Sequence, residues 1–131
     1  MVQAIKPFLM FEGQAEEAMN LYVSLFPDAS ILEISRYGPG EAGPEGSVHT
    51  AAFSIAGLTI MYIDSPVNHD FSFTPAMSLF VDMSSEDELQ SVAAALAEGG
   101  TVLMPLGDYG FSRQFTWVND RYGVSWQLNL P

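Results

Sequence analysis

Apolar and polar positions along this chain follow a pattern that is laid down twice, and repetition of that kind is the first clue to a fold. Pro7-Phe8-Leu9-Met10-Phe11 precedes a stretch in which Ala15, Ala18, Met19, Tyr22, Leu25 and Phe26 recur at helical spacing, with Glu16, Glu17 and Asn20 facing out. Pro27 ends that helix, because it has no N–H to donate and disfavours helical geometry in the residue before it. Ala76-Met77-Ser78-Leu79-Phe80 opens a second round, with Leu89, Val92, Ala93 and Leu96 as its helical stripe. Ser85 and Glu88 have capping-box spacing at the start of this helix, and Gly99-Gly100 stops it. Each round closes on a glycine-led strand, residues 57–63 in the first and 123–129 in the second.

The remaining elements fall between these markers. Residues 3–11 read as a buried first strand and 30–37 as a second, and Val48–Ala56 with Leu58–Asp64 read as a hairpin about Ala56-Gly57. In the second round the strands are Pro75–Asp82, Thr101–Met104, and a closing hairpin of Ser112–Val118 with Val124–Leu130, turning through Asn119-Asp120-Arg121-Tyr122-Gly123. Gly38–Gly46 holds four glycines and two prolines in nine residues and predicts a mobile loop; Pro105–Gly110 predicts another, and either is placed to act as a lid. The expected architecture is α+β: two tandem βαβββ modules, about residues 1–65 and 75–131, within a single domain over 1–131.

Composition narrows the chemistry. The chain has 131 residues, enough to bury a sizeable core, and carries four Lys and Arg against 16 Asp and Glu, a net charge of −12. Each half holds two basic and eight acidic residues, so the acidity is a property of the whole surface and not of a tail. Such a surface repels phosphate backbones and argues against nucleic acid as a partner. No cysteine is present, which removes disulfides, thiolate ligands and a cysteine nucleophile together. No apolar run approaches the ~18 residues that cross a bilayer. The expectation is an acidic, soluble cytoplasmic protein with no membrane association.

The arrangement is similar to the vicinal oxygen chelate superfamily, which includes glyoxalase I, bleomycin-resistance proteins and extradiol dioxygenases. Within it the chain resembles the PhnB-like family, labelled 3-demethylubiquinone-9 3-methyltransferase-like. The residues that carry the resemblance are 7–11 with Ala15-Glu16-Glu17-Ala18, Phe53-Ser54-Ile55-Ala56-Gly57, residues 73–81, and 117–127. It implies a curved mixed sheet around a concave cavity, helices outside, and a homodimer. In the last strand Val124, Trp126, Leu128 and Leu130 share one face and Ser125, Gln127 and Asn129 the other, by the period of two. The first set is expected under a helix and the second on the concave side, with Thr59, Met61 and Ile63 at the equivalent positions of module one.

Metal-dependent members of that superfamily draw His, Glu and Gln ligands from the first and last strands of each module. The corresponding positions here are Pro7, Met61, Ala76 and Gln127. Three of these side chains cannot bind a hard or borderline cation, so no metal and no cofactor is expected. Methyl transfer is disfavoured too, because the strand-to-helix turns Glu12-Gly13-Gln14 and Asp82-Met83-Ser84-Ser85 lack the glycine fingerprint of a nucleotide site. No nucleophile elbow or phosphate-binding loop occurs. Glu16-Glu17 and Glu86-Asp87-Glu88 read as solvated charge in helix first turns.

What remains is a small-molecule site lined by apolar groups and a few amides or hydroxyls. Its expected members are Met61, Ser78, Tyr109, Trp117, Asn119, Ser125 and Gln127, with Phe111, Phe115 and Trp126 as neighbouring aromatics divided between pocket wall and core. His49 reads as a hydrogen-bonded strand histidine or as a base at the cavity rim, and His69 as a solvated loop residue. An unorthodox enzyme site would rest on His49, Asp64 or Gln127, and sequestration of a cationic drug is the third possibility that the acidic charge allows. Arg113 reads as a rim ion-pair partner for an acid, or as an anchor for a ligand carboxylate.

Overall fold

The first module runs β1 (Phe8–Phe11), α1 (Ala15–Leu25), β2 (Ser30–Arg36), β3 (Val48–Ile55) and β4 (Leu58–Asp64). The second runs β5 (Leu79–Asp82), α2 (Glu86–Ala97), β6 (Thr101–Gly107), β7 (Gln114–Asn119) and β8 (Ser125–Leu130). The computed structural model describes residues 1–131, which fall into two units, Met1–His69 and Asp70–Pro131. Each unit is one four-stranded mixed sheet with one helix, ordered β1-β4-β3-β2 in the first and β5-β8-β7-β6 in the second. First and last strands pair in parallel in both, and the other pairings are antiparallel. The expected α+β class and βαβββ repeat are what the structure shows.

In the first unit, α1 buries Ala15, Ala18, Met19 and Tyr22, the predicted stripe. Tyr22 lies 6.3 Å from Phe53 and 6.4 Å from Tyr62, centroid to centroid, so the core is an aromatic layer between helix and sheet. The start of α1 is held from a distance: Asp64 Oδ1 accepts from the N–H of Gly13 at 3.0 Å and of Ala15 at 2.8 Å. On the outer surface Arg36 forks onto both carboxylate oxygens of Glu16. That hydrogen bond, more than the attraction of the charges, holds the Glu16 carboxyl below its ordinary pKa.

In the second unit, Ser85 Oγ accepts from the N–H of Glu88 at 3.2 Å, half of the predicted capping box. Leu89, Val92, Ala93 and Leu96 are buried from α2, and Trp126, Leu128 and Leu130 from β8. Asp120, in the β7–β8 turn and 3% exposed, organises this end of the core. Its Oδ1 accepts from the N–H groups of Tyr122 and Val124, at 2.9 and 3.1 Å, and its Oδ2 from Trp126 Nε1 at 3.0 Å.

Several boundaries differ from expectation. β1 starts at Phe8 and β5 at Leu79, because residues 3–6 and 75–77 lie exposed with no strand beside them. β6 extends to Gly107 through Pro105; it is an edge strand, and register shifts on both sides of Met104 spare the proline from donating. The 38–46 segment is closed on itself by Gly46 N–H to Tyr37 carbonyl at 2.9 Å and by Glu41 Oε1 accepting from Gly38 N–H at 2.6 Å. A β-carbon on Gly43 would fall 2.4 Å from the buried Tyr37 ring, so only glycine fits there. Trp126 belongs wholly to the core. Arg113 gives its Nε to the carbonyl of Pro131 at 2.9 Å, in place of the acid partner expected for it.

Candidate functional site

The second sheet has α2 on one side only, and its register places the opposite face in transverse rows. One row is Asp82, Asn129, Phe115 and Gly107, read across β5, β8, β7 and β6. The next is Phe80, Gln127, Trp117 and Met104, and a third pairs Ser125 with Asn119 and Thr101. Strand alternation therefore collects the polar residues of β8 on the helix-free face, as the sequence pattern predicts. Ser78, Trp117, Asn119, Ser125 and Gln127 meet there, with Ser78 just ahead of β5.

These side chains hold one another. Gln127 Nε2 donates to Ser78 Oγ at 2.8 Å, Trp117 Nε1 to Ser125 Oγ at 2.8 Å, and Asn129 Nδ2 to Asp82 Oδ1 at 2.8 Å. Two acceptors are left over: Asn119 Oδ1 and Asn129 Oδ1 are buried without a hydrogen-bond partner. A buried carbonyl oxygen left unbonded costs on the order of 1–3 kcal/mol, so such atoms mark places where a donor is expected.

One end of this face is aromatic. Phe115 is buried, and around it stand Tyr109, Phe111 and Phe80 at 5.9, 4.9 and 6.3 Å between centroids. Tyr109 and Phe111 are near-parallel, at 20° and 6.3 Å, and each is near-perpendicular to Phe115, at 88° and 73°. Phe80, Tyr109 and Phe111 are all largely exposed, at 54%, 41% and 60%. Tyr109 thus joins the face from the β6–β7 loop, while Phe80, Asp82 and Asn129 complete it. Asn129 was already on this face by alternation. Phe80 and Asp82 carry the same signal, since they alternate with the half-buried Leu79 and Val81.

Met61 stands apart, on the helix-free face of the first sheet, with Phe8 and Ala52 as its strand neighbours. His49 is exposed and stacks on Tyr37 at 4.7 Å. It is the extra residue of a bulge, because Ser35 pairs Thr50 and Arg36 pairs Val48. Asp64 is buried beneath the start of α1 as its cap. His49 and Asp64 belong to the first unit and Gln127 to the second. His69 is not simply solvated: its Nε2 lies 2.9 Å from Ser65 Oγ.

The metal positions implied by the resemblance can be tested on geometry. Pro7 precedes β1 and gives its carbonyl to Met61 N–H at 2.9 Å, and Ala76 is an exposed residue of the turn before β5. Their places beside Met61 and Gln127 on the helix-free faces are taken by Phe8 and Phe80. Nowhere do three His, Cys, Asp or Glu side chains come together. A proline, a methionine, an alanine or phenylalanine, and one amide do not make a divalent-cation site.

Two βαβββ units of this topology define an α+β protein of the glyoxalase/bleomycin resistance fold. The chain belongs to the PhnB-like family described as 3-demethylubiquinone-9 3-methyltransferase, whose sequence model matches residues 3–129. A PhnB protein from Bacillus cereus, itself described as a 3-demethylubiquinone-9 3-methyltransferase, is 56% identical with a TM-score of 0.95, over 98% of this chain and 100% of that one. Protein PA1353 from Pseudomonas aeruginosa is 26% identical with a TM-score of 0.85, over 98% of both chains. The fosfomycin resistance protein FosX from Listeria monocytogenes, solved with Mn(II) and a dihydroxypropylphosphonic acid, is 12% identical with a TM-score of 0.64, over 98% and 93%. That last likeness is one of fold. A search of the curated proteins gives no match. No helix is long and apolar enough to cross a membrane.

Proposed function

We propose that this chain binds a small organic molecule on the helix-free face of its second sheet, without the divalent ion present in the FosX complex. The observation that carries this reading is the coexistence of two unbonded, buried amide oxygens with exposed aromatic rings on one face. A face meant only for packing would fill such positions with apolar side chains; a binding face combines apolar area with a few directed polar atoms. Gln127, held by Ser78, and Trp117, held by Ser125, supply a wall whose rotamers are already fixed. Nothing in this arrangement serves methyl transfer, which requires a held methyl donor, so the family description is read here as a label of kinship.

The test is a thermal-shift screen of apolar and weakly polar metabolites, with and without added Mn(II). Ligands on this face raise the melting temperature equally in both arms, and Gln127→Ala reduces the rise. Stabilisation that needs Mn(II), or none across a broad panel, refutes the reading. We further propose a cytoplasmic homodimer: Val102, Leu103 and Leu106 lie exposed on the unpaired edge strand β6, an arrangement that favours coverage. Light scattering at twice 14.3 kDa is the expected result, and 14.3 kDa would exclude it.

A further inference from the structure

The ligand class can be read more narrowly from the row Asp82, Asn129, Phe115, Gly107. Two of its acceptor oxygens, one on Asp82 and one on Asn129, are without a hydrogen bond inside the chain. Asn129 Nδ2 donates one N–H to Asp82 Oδ1, and the Asn129 carbonyl oxygen is left unbonded in a residue that is 9% exposed. Asp82 itself is exposed and keeps its second oxygen and its charge. Next in the row comes Phe115, flanked by the Tyr109 and Phe111 rings, and then Gly107, where a β-carbon would lie 3.8 Å from the Tyr109 ring. Adjacent strands are about 4.8 Å apart, so carboxylate, amide oxygen and ring lie in sequence over roughly 10 Å.

A carboxylate, a free carbonyl and ring faces set at near-right angles share one preference. All three attract a positive charge that carries N–H donors, the carboxylate by charge, the amide by hydrogen bonding and the rings by their quadrupoles. We infer that Asp82 and Asn129, with the exposed rings of Phe80, Tyr109 and Phe111 on the same face, recognise the ammonium group of an organic amine whose apolar body rests on Trp117. This rests on the binding reading above and adds the sign and donor character of the ligand. Arg113, two residues before Phe115, gives its Nε to Pro131.

The experiment compares three probes of one shape, 2-phenylethylamine, 2-phenylethanol and phenylacetate, by calorimetric titration of the full chain at low and moderate salt. The amine is expected to bind about tenfold more tightly than the alcohol, and the carboxylate not at all. Asp82→Asn keeps an oxygen for Asn129 while removing the charge. It should cut the amine's affinity about fivefold and leave the alcohol's unchanged; Phe80→Leu, at an exposed ring, should weaken the amine as well. Equal binding of amine and alcohol, a preference for phenylacetate, or an unaltered amine affinity in Asp82→Asn overturns the assignment while the broader binding reading stands. Failure of all three probes also overturns it. It extends to the broader reading only if the metabolite screen is blank too.

Discussion

Replacing Asp120 with asparagine is the sharpest test of how the second unit is held together. The aspartate accepts two backbone N–H bonds on one oxygen and the Trp126 indole N–H on the other, in a residue 3% exposed beside a tryptophan that is fully buried. Asparagine is nearly the same size but has only one acceptor. If its oxygen serves Tyr122 and Val124, its NH2 group meets the indole N–H; if it is turned over, it meets the backbone donors. Either way a charge-assisted bond worth about 1.5–3 kcal/mol is lost and a buried donor is left unpaired. The expected loss is roughly 2–4 kcal/mol, or on the order of 10 °C in melting temperature for a chain of this size. Urea unfolding followed by far-ultraviolet circular dichroism measures it. Trp126→Phe removes the donor, so adding Asp120→Asn to that variant should cost at least about 1 kcal/mol less than adding it to the native chain. A stability within about 0.5 kcal/mol of native for Asp120→Asn, or strict additivity of the pair, would refute the reasoning.

Three other outcomes follow from the same structure. Ala56 has φ of 49° ahead of Gly57 at 84°, the left-handed pair of a tight hairpin, so Ala56→Asn should raise stability by about 0.5–1 kcal/mol in the same urea titration. A β-carbon on Gly100 would sit 2.1 Å from the carbonyl oxygen of Asn119, which is backbone and cannot yield; Gly100→Ala should lower the melting temperature sharply or abolish soluble expression, whereas Gly110→Ala, with nothing within 4 Å, should lower it only slightly, by the strain of its positive φ. The Glu16–Arg36 pair lowers the pKa of Glu16, so its small contribution is present above the ordinary carboxylate range and disappears as the pH falls through the depressed value. Arg36→Gln should therefore be slightly less stable than native at pH 7 and indistinguishable from it at pH 2; a constant difference across that range would contradict the linkage.

The helices and the last strand were the most legible parts of the chain, because each is two-faced in polarity: Ala15, Ala18, Met19 and Tyr22 form the apolar stripe of α1, and apolar Trp126 and Leu128 alternate with polar Gln127 and Asn129 on β8. Strand starts were not. The sequence pattern starts these strands at residue 3 and at Pro75, yet pairing begins only where a neighbour is in reach, at Phe8 and Leu79. The Asn119–Gly123 turn gave no hint that Asp120 lies inside the core, since a polar residue between two strands ordinarily signals solvent. The bulge that turns His49 outward is invisible to alternation for the same reason that it exists: it breaks the period. On the candidate site, Ser78, Trp117, Asn119, Ser125 and Gln127 could be assembled from spacing and resemblance. The acceptor-rich character of the face needed hydrogen-bond partners, which a sequence does not list.

The way α1 is capped gives the two modules different timetables. Gln14 makes no side-chain cap for that helix; the oxygen that serves its first N–H groups belongs to Asp64, 49 residues downstream of Ala15. The second helix carries its own cap in Ser85, one residue before it begins. Alone, an 11-residue helix is marginal in water. At ~5–20 residues per second, the ribosome leaves α1 unfinished for roughly 2–8 s after its own residues have been made, until the end of β4 arrives. The module made first must wait for its own last residue, while the helix made later can start at once.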